Sequence, residues 1–322
     1  MYSFIVNRRN KLYDNNKAEI VKCSVPVISI GNLAVGGTGK TPAVIKLCQV
    51  LLDKGYKPAV VGRGYKRKSK GLVVVSDGIE IKADAEAGGD EMYLIAQKFN
   101  IPVVAYSSKS DAALFVSKNF DVDYIIVDDG FQHRRLYRDY DIVLLSKDNL
   151  LNPKLLPFGR LREPLKSLKR ADIICLTKGA DFELFKSAAD SANLYQELKN
   201  KQFYECSVKF GKSYNLMDNS EFSINKSNRI IAVSAIANPQ SFFSMLSDAD
   251  YNIAASKSYP DHYNYTVNSI NDIIKLAEQN NSNIIAATEK DAVKLKSFIN
   301  LFKENNINNI VVFPLDFSYK KI

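Results

Sequence analysis

Gly36, Gly37, Thr38, Gly39, Lys40 and Thr41 lie where a short β-branched run, VISI at 27–30, gives way to an amphipathic segment. Glycines at this spacing let successive backbone N–H groups face phosphate oxygens, and a helix opening there adds the positive end of its dipole. Lys40 would neutralise charge at the β and γ phosphates, and the Thr41 hydroxyl would sit on Mg²⁺. The strict Gly-x4-Gly-Lys-Thr spacing fails at Ala34, while the relaxed pattern and the strand–loop–helix context are met. The chain is therefore expected to handle a nucleoside triphosphate.

A second constellation is YIIVDDG, 124–130, an apolar strand ending in two acids. In a phosphate-loop protein an acid at a buried strand tip holds Mg²⁺ directly or through water. Asp128 and Asp129 point to opposite sides if the strand persists, so one is expected on the metal and the other on something nearby. In isolation a strand meeting an Asp-Gly turn explains the pattern equally well. Asp90 and Glu91 follow Gly88-Gly89 and by themselves read as a helix cap and first turn. Arg63-Gly64-Tyr65 runs into Lys66, Arg67, Lys68 and Lys70, either a solvated basic loop or a clamp on an anionic substrate. His133 and His262 are the only histidines, and spacing alone assigns neither a role.

The elements that must hold these groups alternate. Strands are predicted at 25–30, 59–62, 72–76, 101–105, 124–127, 141–145 and 172–176, with helices after 41 and over 91–99 and 111–119. That order predicts an α/β fold: a mostly parallel sheet flanked by helices, binding ligands at the carboxyl ends of its strands. A smaller α/β lobe is expected over 229–309, with a strand at 230–233, a helical stripe at Val267, Ile270, Ile274 and Ala277, and a strand at 284–286. β-rich pieces at 203–208 and 310–317 flank it and predict a two-stranded linker between the lobes; Asn- and Ser-rich residues 214–228 read as loop. The expected organisation is a core of 1–201, a linker strand and loop of 202–228, the smaller lobe of 229–309 and a return strand of 310–322.

The chain has 322 residues, 46% hydrophobic and 25% charged, enough for two cores. A net charge of +9 favours anionic partners. No recognised nucleic-acid module accompanies that charge, so nucleic acid is not expected as a partner. Four scattered cysteines lack metal-ligand spacing and read as reduced thiols of a cytoplasmic protein. No apolar run approaches the ~18 residues that span a bilayer, and Arg8, Arg9 and Lys11 so near the start do not make a signal peptide. Tyr2, Phe4, Ile5 and Val6 beside those cations fit either a membrane-surface segment or a solvated first helix.

Taken together, GNLAVGGTGKTP (31–42), RGYKRKSKG (63–71), GGDE (88–91) and DDGFQHRRLYRD (128–139) resemble the tetraacyldisaccharide 4′-kinases of lipid A biosynthesis. So do LLPFGRLREPLKSLKRAD (155–172), IANP (236–239), PDHYNYT (260–266) and TEKDAVKL (288–295). The phosphate loop is generic; the DDGFQH, GRLREPL and PDH blocks in this order are specific, and the likeness runs from about Asn7 to Phe317. It implies an ATP- and Mg²⁺-dependent kinase acting on the 4′-hydroxyl of a lipid disaccharide 1-phosphate to give lipid IVA. Such an enzyme is a peripheral protein on the cytoplasmic face of the inner membrane, against an anionic surface and taken here as a monomer. By the same resemblance Lys40 and Thr41 bind the triphosphate and metal, and Asp128 or Asp129, with Glu91, serves the Mg²⁺. Asp90 matches the base, working with His262 once the lobes close over ATP. Arg63, Tyr65 and Arg162 match positions near the disaccharide, and His133 and Glu163 match polar positions of the site.

Three departures stand out. Met92 replaces a frequent proline, Ala235 replaces a usual glycine before IANP, and the N-terminal segment is short. The main rival is a partition-type regulatory ATPase, but Val35 occupies the place of its signature lysine. A guanine-reading motif at Thr177-Lys178 would need an aspartate at 180, where Ala180 stands.

Overall fold

The computed structural model describes residues 2–322, in two compact units. The first runs to Val208 and resumes at Phe317–Ile322; the second is Lys209–Asp316. In chain order the first unit contributes β1 (Val27–Asn32), β2 (Pro58–Gly62), β3 (Val73–Asp77), β4 (Pro102–Ala105), β5 (Tyr124–Asp128), β6 (Tyr140–Ser146), β7 (Ile173–Thr177) and β8 (Gln202–Phe210). The second holds β9 (Tyr214–Asn215), β10 (Arg229–Ser234), β11 (Asn252–Ser258), β12 (Ile284–Thr288) and β13 (Asn309–Phe313), after which the chain leaves through β14 (Leu315–Lys321).

The large sheet has the order β14-β8-β7-β6-β1-β5-β2-β4-β3. From β8 through β4 the pairings are parallel, while β3 is antiparallel to its neighbour β4, and at the other edge β14 runs antiparallel to β8, with Ser207 against Ser318 and Phe203 against Ile322. Strand β1 is buried along its whole length, as a central parallel strand covered on both faces must be. Alternation decides which face each residue serves. Ile28, Ile30, Val60 and Ile126 pack with Val44, Cys48 and Leu51 of helix Lys40–Asp53. Val27, Ala59, Val61, Ile125 and Val127 pack on the other face with Ala112, Ala113 and Val116 of helix Lys109–Asn119. Each buried valine, leucine or isoleucine among them contributes about 1.5–3 kcal/mol of burial, so the central strands are firmly registered. Pairing of Ile30 with Asp128 brings the carboxyl ends of β1 and β5 level, beside the phosphate loop.

The second sheet has the order β11-β10-β12-β13-β9. The stretch read as one strand over 310–317 is two. Pro314, lacking an N–H, separates β13, which pairs with β12, from β14, which neighbours β8. Tyr214–Asn215, read as loop, pairs antiparallel with β13. These two strands of the expected connecting segments therefore belong to the second sheet. Strand β11, which escaped the sequence reading, is Asn252–Ser258, NIAASKS, too small and polar to announce itself. Among the described residues, no helix is long and apolar enough to cross a membrane.

Candidate active site

Helix Lys40–Asp53 starts directly from Gly39, whose φ of 93° is left-handed and accessible to glycine with little strain. The loop before it is braced by side chains from neighbouring strands. Asn32, the last residue of β1, donates from Nδ2 to Thr38 Oγ1 at 2.8 Å, and Thr177 at the tip of β7 donates to the Thr38 carbonyl at 3.2 Å. Thr38 is thus buried and held from two sides. Lys40 and Thr41 open the helix, and Thr41 Oγ1 lies 3.4 Å from Glu91 Oε1.

The two acids after β5 have separate fates. Asp129 takes a left-handed φ of 53°, which turns its carboxylate onto Arg162 at 2.7 and 3.0 Å and onto Lys40 Nζ at 3.4 Å. Burial works the other way, but the Arg162 bonds and the Lys40 charge hold its carboxyl well below the usual range. Asp128 is buried, and its Oδ1 has no hydrogen-bond partner among the described residues. Burial, reinforced by the Glu91 charge and opposed by Lys109 and Lys40, pushes its carboxyl up to about 6.

An orphaned buried carboxylate oxygen beside Glu91 and a helix-opening threonine fits a hard divalent cation. No group of three His, Cys, Asp or Glu among the described residues is placed to hold a metal alone. Magnesium would therefore draw on Thr41, Glu91 and Asp128 and complete its shell with phosphate oxygens and water. Asp129, already occupied by two cations, is the poorer ligand.

Asp90 is buried in the first turn of helix Asp90–Lys98. The preceding turn lies against the RGY loop: a Cβ on Gly89 would come within 2.8 Å of Gly64 Cα, so only glycine permits this approach. Arg63 and Tyr65 on that loop are exposed. Met92 fills the space over Gly62, where a Cβ would fall 2.4 Å from its sulfur. His133 is largely buried, and burial, with Lys109 adding, pushes its imidazole down to about 3. Glu163 is wholly buried, 3.0 Å from both Arg170 and Asn10 Nδ2. Asn10 belongs to the N-terminal helix Tyr2–Asp14, whose Tyr2 hydroxyl donates to the Arg162 carbonyl at 3.1 Å.

In the second unit, His262 sits at the left-handed φ of 61° with its N–H on the Ala235 carbonyl at 3.0 Å; its Nε2 lies 3.6 Å from Asp261 Oδ1.

Sequence reasoning missed Lys109, Asn32, Gln132 and Thr177. Lys109 is 2% exposed, donates to the Asp129 carbonyl at 2.6 Å, and is pushed by burial down to about 8 against the pull of Asp129 and Asp128. Gln132 donates to the Asn32 carbonyl at 2.8 Å. Gln132 and Asn32 carried a signal, their places inside the DDGFQH and GNLAVGGTGKTP blocks; Lys109 and Thr177 carried none.

Fold and site define a phosphate-loop kinase: a parallel α/β sheet with a glycine-rich loop, an invited cation and a paired lysine–acid–arginine cluster. The profile of the family described as tetraacyldisaccharide-1-P 4′-kinase, LpxK, matches residues 1–321, and the chain belongs to that family. The tetraacyldisaccharide 4′-kinase of Aquifex aeolicus is 36% identical over 313 residues, covering 95% of this chain and 90% of that one. That of Halothermothrix orenii is 34% identical over 342 residues, covering 99% and 87%. A crystal structure of LpxK from Aquifex aeolicus in complex with ATP superposes with a TM-score of 0.75 at 34% identity, covering 100% of this chain and 92% of that one. Membership sets aside the partition-type reading.

Proposed function

We propose that this chain transfers the γ-phosphoryl of ATP to the 4′-hydroxyl of a tetraacylated glucosamine disaccharide 1-phosphate, in lipid A synthesis. The observation that carries the reading is the Lys40–Asp129–Arg162 cluster beside the phosphate loop, in a chain of this family. Phosphoryl transfer is loose, so positioning and charge neutralisation supply most of the acceleration. Lys40, held ready by Asp129, would pass to the β/γ oxygens as ATP enters. Mg²⁺ on Thr41, Glu91 and Asp128 would neutralise charge on the same phosphates.

Asp90 is assigned as base for the sugar hydroxyl, and His262 is assigned to the same proton transfer. Arg63, Tyr65 and Arg162 are assigned to the disaccharide and its phosphate, with His133 nearby. Glu163 acts in this reading from beneath, by fixing the backbone on which Arg162 stands.

The acceptor's four acyl chains keep it in the bilayer, at ~0.8 kcal/mol per buried CH₂. The enzyme would therefore work as a peripheral monomer on the cytoplasmic face of the inner membrane. Phe4 and Ile5, 68% and 57% exposed on the N-terminal helix beside Arg8, Arg9 and Lys11, suit an anionic leaflet. The test is ³²P transfer from γ-labelled ATP to the lipid disaccharide in mixed micelles. Label reaching the 4′ position is the expected result; ATP hydrolysis that leaves the acceptor unlabelled would defeat the reading.

A further inference from the structure

The TEKDAVKL block has no part in the phosphate chemistry above, yet it is wired to the loop that carries His262. Thr288 caps helix Glu289–Leu295, accepting from Asp291 N at 3.2 Å. The Asp291 side chain, 2% exposed, turns inward. Its Oδ1 accepts from Ala235 N and from the Tyr265 hydroxyl, each at 2.9 Å, and its Oδ2 from Thr288 Oγ1 at 2.6 Å. Ala235 in turn presents its carbonyl to His262 N at 3.0 Å. Three residues along the same helix, Lys294 Nζ donates to the Tyr263 carbonyl at 3.2 Å.

The segment 259–265 is thus fastened at five points among the described residues: Tyr259 N on Ser234 O, the Tyr259 hydroxyl on Ser269 O, His262 N on Ala235 O, Tyr263 O on Lys294 and Tyr265 on Asp291. Stacking of Tyr259 on Tyr263, ring centroids 4.8 Å apart, stiffens it further. His262 needs this support, because a non-glycine residue keeps a left-handed φ only where its surroundings over-determine it. Three donors converge on Asp291, and a carboxylate accepts from all of them where an amide does not.

We infer that Asp291 is a positioning residue for His262, acting through the Ala235 peptide and the Tyr265 hydroxyl, with Lys294 as the second arm of the clamp. The inference rests on the reading that His262 takes part in transfer.

The test compares Asp291→Ala, Asp291→Asn, His262→Ala and the double variant in the full chain. Asp291→Ala is expected to lower kcat at least 10-fold, leave KM for ATP within about two-fold and speed hydrogen exchange at the His262 amide. Asp291→Asn recovers part of the kcat, since its one oxygen still serves Ala235 and Tyr265. Phe302→Leu, a buried change elsewhere in the unit, lowers the melting temperature without this kcat loss. In the His262→Ala background, removing Asp291 costs nothing more. A normal kcat in His262→Ala overturns the reading of His262 itself. Normal kcat and unaltered exchange in Asp291→Ala, with His262→Ala still impaired, overturn this inference alone, as does a full further loss in the double variant. If Asp291→Ala does not fold, Lys294→Met keeps the hydrocarbon and removes the bond to Tyr263; unchanged kcat and exchange there overturn the clamp.

Discussion

Arg162 meets Asp129 fork to fork, its NH2 2.7 Å from Oδ1 and its NH1 3.0 Å from Oδ2. The same Oδ1 holds Lys40 at 3.4 Å. One acid therefore fixes two cations, while Asp128, one residue earlier, keeps a carboxylate oxygen unclaimed among the described residues. Adjacent, chemically identical residues thus divide the labour, because a left-handed φ at Asp129 aims its carboxylate at the cations.

Arg162→Lys should lower kcat for phosphoryl transfer by about 10-fold or more, since a point charge cannot reproduce the two-pronged contact that orients Asp129. Steady-state transfer assays check this. Full activity in the lysine variant would mean that charge alone suffices at 162.

Asp128→Asn should raise the Mg²⁺ concentration needed for half-maximal activity by roughly 10-fold while leaving the melting temperature equal or higher, because an unpaired buried acid is costly. Chelation of Mg²⁺ should abolish transfer in the unaltered chain. A Mg²⁺ titration superimposable on that of the parent would assign the metal elsewhere.

His133 ties stability to pH. Its folded pKa of about 3 lies below the unfolded value of about 6.5, so between these values the unfolded chain binds more protons. Stability should consequently fall as pH drops from about 6.5 towards 3 and owe nothing to this group above that window. Urea midpoints of the parent and His133→Gln, measured across that range, should show a shallower slope in the variant.

Glu163→Ala should destabilise the fold by about 2–4 kcal/mol, because it leaves the partly buried Arg170 without its partner at 3.0 Å. Urea unfolding reads this directly. A fully stable variant with lost transfer would instead place Glu163 in the chemistry.

Liposomes containing anionic lipid should float this protein in a salt-sensitive manner, and removal of residues 1–12 should weaken flotation. Binding indifferent to both treatments would exclude the N-terminal cations and Phe4–Ile5 as the grip.

The phosphate loop was legible because its chemistry is local: glycine spacing, Lys40 and Thr41 are contiguous and follow an apolar strand. The strand and helix order was legible for a similar reason, since buried parallel strands carry unbroken apolar runs. What stayed hidden is what tertiary packing creates. Lys109, in SSKSD, looks like a surface lysine until helix Lys109–Asn119 docks and buries it beneath Asp129. The pairing of Arg162 with Asp129 spans 33 residues, and no periodicity announces it. Glu163 lies within a motif of the site yet faces inward, towards Arg170 and Asn10, which residue type alone does not reveal.

Strand β14 is synthesised after nearly all of the second unit, yet it completes the edge of the large sheet beside β8. A ribosome that stalls within residues 209–316 leaves β8 with bare amides and carbonyls, an open template for pairing with other chains. The order of translation therefore makes the kinase core wait for its insertion, and nascent chains caught in that interval are the ones a chaperone must shield.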